Sequence, residues 1–298
     1  MKKFVECVPN FSEGKRKDVV DAIAACISSV GGVKLMDVEM DPNHNRAVVT
    51  FVGEIEDVKK AAFEAAKKAV ELIDMEKHMG EHPRIGALDV LPFVPITASM
   101  IDCVAAAREV GGRIAKELGV PVYLYGEAAT TPARHNLPDV RRGEYEGLKT
   151  DIAKDPERRP DFGEARMHPT AGATAVGARP ILIAYNIDLE TKDVGVAKEI
   201  AKKIREKDGG FPAVRALGFE LADRGIVQVS MNLLDYKVTP IWKVYDAVEA
   251  EARRRGVAVV GSEVVGLVPL AALVDCADHY LKLERFNIDQ TLEVKLWE

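Results

Sequence analysis

The stretch V33-KLMDVEMDPNHNRAVVTFVGEIEDVKKAAFEAAKKAVEL-I73 decides the fold. "VKLMDVEM" (33–40) and "RAVVTFVG" (46–53) read as strands, and "DPNHN" (41–45) between them is turn-rich, so the two form a hairpin. The residues from Glu54 to Ile73 then carry apolar side chains at helical spacing. Upstream, "KFVECVP" (3–9) is a short strand and "NFSEGK" (10–15) a turn. A helix follows, with Val19, Val20, Ile23, Ala24 and Ile27 on one face and Gly31-Gly32 as its stop. Downstream, "IGALDVLPFVPI" (85–96) reads as another strand. The order strand-helix-strand-strand-helix-strand is the split β-α-β, or ferredoxin-like, unit. A helix over "SMIDCVAAAREVGGRIAKELG" (99–119) and a strand over "VPVYLYG" (120–126) extend it.

Residues 127 to 178 break the pattern, with five prolines and little periodicity. A segment of that length without clear elements is functional or a linker. Beyond it the same order returns. "PILIAYNIDL" is a strand, Val194 to Glu206 a helix, and "AVRALGFELA" and "GIVQVSMNLLD" are strands meeting at Asp223-Arg224-Gly225. "TPIWKVYDAVEAEARRRG" is a helix with Thr239 as its N-cap and Pro240 at its first position. A strand, "VAVVGSEVV", and a helix, "PLAALVDCADHYL", close the repeat. The expectation is therefore an α+β chain of two ferredoxin-like subdomains, 1–178 and 179–298, with a substrate cleft between them. The tail "FNIDQTLEVKLWE" alternates weakly and suits an edge strand or a frayed end.

Composition narrows the function classes. The 298 residues are 47% hydrophobic and 30% charged with net charge −6, which does not suit a dedicated nucleic-acid binder. No run of about 18 apolar residues is present to span a membrane, and the N-terminus lacks the apolar core of a signal peptide. The four cysteines, Cys7, Cys26, Cys103 and Cys276, are scattered, so neither a zinc ribbon nor a disulfide framework is indicated, and a reducing cytoplasm fits. Arg253-Arg254-Arg255 before Gly256 complements a helix end.

The chemistry-bearing stretch is "KHMGEHPRIGALD" (77–89), with two of the six histidines. His78, Glu81 and His82 spell H-x-x-E-H, a zinc signature only when both histidines share one helical face. Gly80 weakens a helix, and Pro83 pushes His82 out of the α region, so the local geometry argues against metal. His78 reads as a partner for the end of the preceding helix. For His82 a packing role and a proton-transfer role fit the residues equally well; imidazole titrates in the neutral range and the loop lies beside a strand mouth. His44 reads as a solvated turn residue, His279 as structural, and His135 and His168 fall in the irregular connector.

The longer motifs are more specific. "VECVPNFSEGK", "LIDMEKHMGEHPRIGALDVLPFVPI", "ELGVPVYLYGEAA", "LPDVRRGEYEGL", "PDFGEA", "GATAVGARPILIAYNI", "VQVSMNLLDYKVTP" and "VVGSEVVGLVPLAAL" resemble, in order, the glutamate formiminotransferase family. The resemblance runs from about residue 3 to about residue 281. It implies two ferredoxin-like subdomains and transfer of the formimino group of N-formiminoglutamate to tetrahydrofolate, as in histidine breakdown. It implies His82 as the catalytic histidine and tetrahydrofolate as co-substrate, with no metal. It also implies folate contacts from Gly163, Glu164, Ala165, Arg166, Met167, His168, Pro169, Thr170, Ala171 and Gly172. A second set is Gly209, Gly210, Phe211, Pro212, Ala213, Val214, Arg215, Ala216, Leu217 and Gly218. Some relatives carry a fused cyclodeaminase domain; this chain is expected to lack it and to act as a cytoplasmic homodimer, with no nucleic-acid or membrane partner.

The implied reaction suits a base. An amine of the folate attacks an amidine carbon, and protons must leave it and reach the departing glutamate nitrogen; one imidazole serves both steps. Both substrates carry carboxylates, which makes Arg46, Arg84, Arg179 and Arg215 candidate partners, each equally able to sit in a surface ion pair. Formyl transfer between 5-formyltetrahydrofolate and glutamate, a metal-dependent hydrolase using His78, Glu81 and His82, and a non-catalytic folate-binding module are the competing readings.

Overall fold

The hairpin and helix expected over 33–73 form as β3 (Val33–Asp41), β4 (Arg46–Glu54) and α2 (Ile55–Leu72) in a computed structural model that describes residues 2–297. Asp41 pairs with Arg46 across the turn, and the alternation of β4 buries Ala47, Val49 and Phe51. Helix α2 turns inward Val58, Ala61, Ala62, Ala65, Ala66 and Ala69. Those small side chains at helical spacing let it sit closely between α1 (Lys17–Ser28) and α3 (Met100–Leu118). Ser99 caps α3 through a reciprocal capping box with Asp102, and Gly119 ends it in the left-handed conformation.

Strands β1 (Phe4–Cys7) and β2 (Asn10–Phe11) are two halves of one strand, interrupted at Val8-Pro9 where proline has no N–H to donate. Both halves pair antiparallel with β4 on one side and with β5 (Leu88–Pro95) on the other. The core order is thus β3, β4, β1/β2, β5. It is widened by two parallel strands: β7 (Thr174–Ala178), which pairs with β5, and beyond it β6 (Val122–Gly126), which pairs with β7. With neighbours on both edges, β5 is buried along nearly its whole length.

The segment 127–178 is more ordered than its sequence suggests. It forms α4 (Leu137–Val140), α5 (Glu144–Asp151) and two short 3-10 turns, and its last five residues are the central strand β7. "TAVGA" is small and buried throughout, so no alternation betrays it; Gly177 packs where a Cβ would lie 2.4 Å from the Tyr125 carbonyl oxygen.

The chain divides into two units, the second beginning at Ile181. Its elements are β8 (Ile183–Leu189), α6 (Val194–Ile204), β9 (Val214–Leu221), β10 (Ile226–Leu233), α7 (Ile241–Arg254) and β11 (Val259–Val265). The strand order is β11-β8-β10-β9, all antiparallel. Ile187, Leu189, Val227, Val229 and Met231 face α6 and α7. The alternate positions are polar: Gln228 bonds Asp188 and Glu263, and Asn186 bonds Glu263.

Two expectations are corrected here. Thr239 does not cap α7; it is fully buried and its hydroxyl donates to the Pro212 carbonyl oxygen at 2.7 Å, while Pro240 takes the N-cap position. Beyond α8 (Leu270–Leu281) the tail is neither edge strand nor frayed. It makes a 3-10 turn at Ile288–Gln290, boxed by Asn287 and Gln290, and then α9 (Leu292–Trp297).

Between α2 and β5 the chain passes Gly86, where an added Cβ would stand 1.9 Å from the Ala173 carbonyl oxygen. That neighbour is backbone and cannot swing aside. Gly86→Ala is expected to destabilise the first unit by ~1–3 kcal/mol, read as a lower denaturant midpoint; an unchanged midpoint would contradict the packing described.

Candidate active site

His82 lies on an irregular loop between α2 and β5, with no helix from Lys77 to Arg84. The helical face that H-x-x-E-H needs is therefore missing, and among the described residues no cluster of three or more acid, cysteine or histidine side chains is arranged to hold a metal ion. Instead the loop is tied at both ends and in the middle. At its start the Met75 N–H donates to the Thr170 carbonyl oxygen at 2.7 Å, and Tyr145 and Lys149 of α5 both reach Glu76. At its end the Ile85 N–H donates to Asp89 Oδ1 at 2.8 Å and the Ala87 N–H to the Ala171 carbonyl oxygen at 2.9 Å.

The middle is held by Asn45, the last residue of the β3–β4 turn. It is buried and sits at φ +48°, a conformation asparagine tolerates better than most residues. Its Oδ1 accepts from the Gly14 N–H at 2.9 Å and its Nδ2 donates to the Met79 carbonyl oxygen at 2.9 Å. Its own carbonyl oxygen lies 2.9 Å from His78 Nε2. Gly80 is pressed against this turn, where a Cβ would meet the His44 carbonyl oxygen at 2.3 Å.

His78 thus differs from expectation. It does not serve the end of α2; it donates to Asn45 through Nε2 and accepts from Arg84 Nε on Nδ1 at 3.3 Å, and burial lowers its pKa. Arg84 is buried and committed: Nη1 and Nη2 bond Glu146 at 2.9 and 2.7 Å, and Nη1 also bonds Glu144 at 3.1 Å. These ion pairs raise its pKa, and they fasten the loop to the first turn of α5. Arg84 is therefore not free to receive a substrate carboxylate. Arg179 donates to the neighbouring Pro180 carbonyl oxygen at 3.0 Å, and its charge acts on Glu6 and Tyr125.

The other histidines are occupied or exposed. His44 bonds Asp41, His168 Nδ1 accepts from the Ala171 N–H at 3.0 Å, and His279 stacks on Trp242 with ring centroids 3.9 Å apart. His135 is exposed. His82 is partly buried, its ring lies edge-on to His44 at 6.5 Å, and neither ring nitrogen bonds a described residue. Burial, then the charges of Arg141 and Arg46, push its pKa down to about 3, with smaller contributions from His44 and His78. The imidazole is accordingly neutral at neutral pH, rather than titrating in the ordinary histidine range.

Two participants escape the sequence reading. Asp89 is 1% exposed in β5 and pairs with Arg141, the residue that caps α4. Burial pushes the Asp89 carboxyl up, while Arg141 and the Ile85 N–H pull the other way. A lone carboxylate inside "GALDVLPF" is the one signal that could have announced a buried cation, since a buried charge needs a partner.

The segment Gly163–Gly172 closes on itself through the His168–Gly172 bridge and presents Glu164, Arg166, Pro169 and Thr170 at the surface, with Met167 and Ala171 buried. Its end is bonded to both flanks of the His82 loop through Thr170 and Ala171, so these two expected site elements lie together. The segment Gly209–Gly218 belongs to the second unit. Gly210 and Gly218 pack under α6, where a Cβ would meet backbone at 2.3 and 2.4 Å, and Val214 and Ala216 are core. Gly209, Pro212 and Leu217 of that set are exposed, and Leu217 alternates with those core residues, as Arg215 does. A hollow of about 320 Å³ lined by Tyr185, Trp242, Tyr245, Cys276 and Tyr280 also lies in this unit.

Comparison with known proteins places these motifs. The profile described as the N-terminal subdomain of the formiminotransferase domain matches residues 4–179, and that of the formiminotransferase domain matches residues 184–297. A glutamate formimidoyltransferase of Thermoplasma acidophilum is 50% identical, covering 98% of this chain and 97% of the relative. One from Streptococcus pyogenes is 46% identical, covering 96% of each. The formimidoyltransferase-cyclodeaminase of Mus musculus is 48% identical over 99% of this chain, which spans 56% of that relative.

Two outcomes test the local physics. Asn45→Ala leaves the Gly14 N–H and the Met79 carbonyl without partners and strains φ, for an expected loss of ~2–3 kcal/mol; hydrogen exchange should quicken at Glu81, and native-like protection there would refute the tie. His82 is held neutral when folded, whereas the unfolded chain takes up a proton near pH 6.5. Stability must therefore fall as pH drops from about 6.5 toward about 3. His82→Gln removes that share, so its urea midpoint should decline less than wild type between about pH 7 and about pH 5; parallel declines would exclude it.

Proposed function

This chain belongs to the formiminotransferase family, and from that we infer that it transfers the formimino group of N-formiminoglutamate to tetrahydrofolate, giving 5-formiminotetrahydrofolate and glutamate. Two matched relatives are named glutamate formimidoyltransferase, and the match to both is nearly full-length. The observation that carries the chemistry is His82: a partly buried, neutral imidazole whose ring nitrogens bond no described residue.

Tetrahydrofolate supplies the attacking amine. His82 accepts the proton released as the new C–N bond forms at the amidine carbon, and returns it to the glutamate nitrogen as the old C–N bond breaks. A neutral imidazole is in the right state for the first step. Segment Gly163–Gly172 is the folate-contacting element we favour, because it is bonded to both flanks of the His82 loop. For Gly209–Gly218 the support is the resemblance, together with the exposure of Leu217.

The strand orders β5-β1/β2-β4-β3 and β11-β8-β10-β9 support reading each unit as ferredoxin-like, the first with an added parallel β6–β7 pair. No helix among the described residues is long and apolar enough to cross a membrane. The four free cysteines agree with a cytoplasmic setting, and a homodimer is the assembly the resemblance implies.

The test is turnover of formiminoglutamate with tetrahydrofolate. Wild type should turn over, and His82→Ala should lose ~10²–10⁴-fold in kcat while binding tetrahydrofolate as before. Equal kcat in the two proteins removes His82 from the mechanism; folate binding without turnover in wild type points to the non-catalytic module instead.

A further inference from the structure

The buried guanidiniums of the first unit are not equally served. Arg134 bonds Asp161 and two carbonyl oxygens, Arg158 bonds the carbonyl oxygens of Asp139 and Arg142, and Arg84 is clasped by Glu144 and Glu146. Arg46 and Arg141 differ: each has a buried Nε with no hydrogen-bond partner. Arg141 is held on one side by Asp89 alone. Arg46 makes no side-chain hydrogen bond or ion pair with any described residue, although desolvation is the leading influence on it. Asp41, Glu39 and Asp89 attract it only through space, and Asp41 is already engaged by His44 and by the Asn43 N–H. The charges of Arg46 and Arg141 repel one another, and both act on His82. Arg46 and Arg141 are thus two half-buried cations, each with an Nε that has no hydrogen-bond partner among the described residues, and both act on His82, a combination that suits a carboxylate.

We propose that Arg46 and Arg141 bind a carboxylate of the amino-acid donor and so place its amidine carbon beside His82. This rests on the transfer reading above, and the chemistry of the two substrates chooses between them. In N-formiminoglutamate the α-carboxylate is separated from the amidine carbon by only Cα and the nitrogen. In tetrahydrofolate an aminobenzoyl group stands between the reacting amine and the glutamate carboxylates. A carboxylate site adjoining the proton-transfer group therefore suits the donor. Planar guanidinium forks match a carboxylate in paired hydrogen bonds, which a lysine would not reproduce.

Burial is the leading reason His82 is so weak a base alone, and the charges of Arg141 and Arg46 come next. The cations that depress it are those a donor carboxylate would neutralise, so seating the donor strengthens the base. A site without donor is thereby kept from taking up the proton.

Arg46→Gln is the informative variant, because Arg141 also anchors Asp89 and its loss could unfold the unit. In the full chain, Arg46→Gln should raise KM for formiminoglutamate ~10–100-fold with KM for tetrahydrofolate unchanged, and Arg46→Lys should recover part of the loss. A rise in the tetrahydrofolate KM instead, or no change in either, overturns the proposal. Calorimetry with glutamate as the probe separates this from failure of the transfer reading. If wild type has no turnover yet binds glutamate, and Arg46→Gln binds it at least ~10-fold more weakly, the carboxylate site stands and the reaction assignment falls. Equal glutamate binding by both proteins, or none by wild type, overturns the site whatever the turnover.

Discussion

Asn45 is the point on which the first unit's site turns. With its two side-chain bonds and one carbonyl it joins the turn after β2, the β3–β4 turn and the loop that carries His82. None of the three is held by regular ladder bonds; besides this residue, single bonds such as the Glu81 N–H to the Asn43 carbonyl and Ser12 to Gly86 and Ala87 link them. The left-handed backbone at Asn45 is what aims its side chain away from the hairpin. Gly14 and Gly80 leave the room it needs, since a Cβ at either would collide with backbone of the same turn.

Much of the architecture could be read from the chain because it obeys simple periods. The β3–β4 hairpin and α2 follow period two and period three-and-a-half in one uninterrupted run, and the second unit repeats them. The failures have separate causes. Strand β7 is covered on both sides and made of small residues, so it has no polar face to mark its period. Thr239 has the composition of a cap, but the carbonyl of Pro212 claimed its hydroxyl from elsewhere in the chain. Helix α9 is too short for weak alternation to be told from helical spacing.

The site shows the same division. Pro83 and Gly80, which are local signals, argued His82 out of a helix and away from a metal site, and the resemblance of the surrounding motif to the family singled it out as a catalyst. Arg141 and Asp89, 52 residues apart, could be recognised as partners only in three dimensions. Arg84 and Arg46 look alike in sequence, both arginines near a histidine turn. What separates them is whether Glu144 and Glu146 arrive to satisfy the guanidinium, and they reach only Arg84. The imidazole is perturbed first by its own burial and then by the charges of Arg141 and Arg46.

The bonds that flank His82 run forward along the chain. Thr170, Ala171, Tyr145, Lys149, Glu144 and Glu146 all lie later in sequence than the loop they secure. On the ribosome, β1 to β5 are complete well before these partners have been made. The strands of the first sheet's core can therefore pair while the histidine loop is held from its N-terminal side, by Asn45 and Asn43, before the anchors from α5 and from Thr170 and Ala171 exist. Order of synthesis thus separates pairing the core strands from completing the loop's support: the nascent chain carries His82 before the later half of that support has been made.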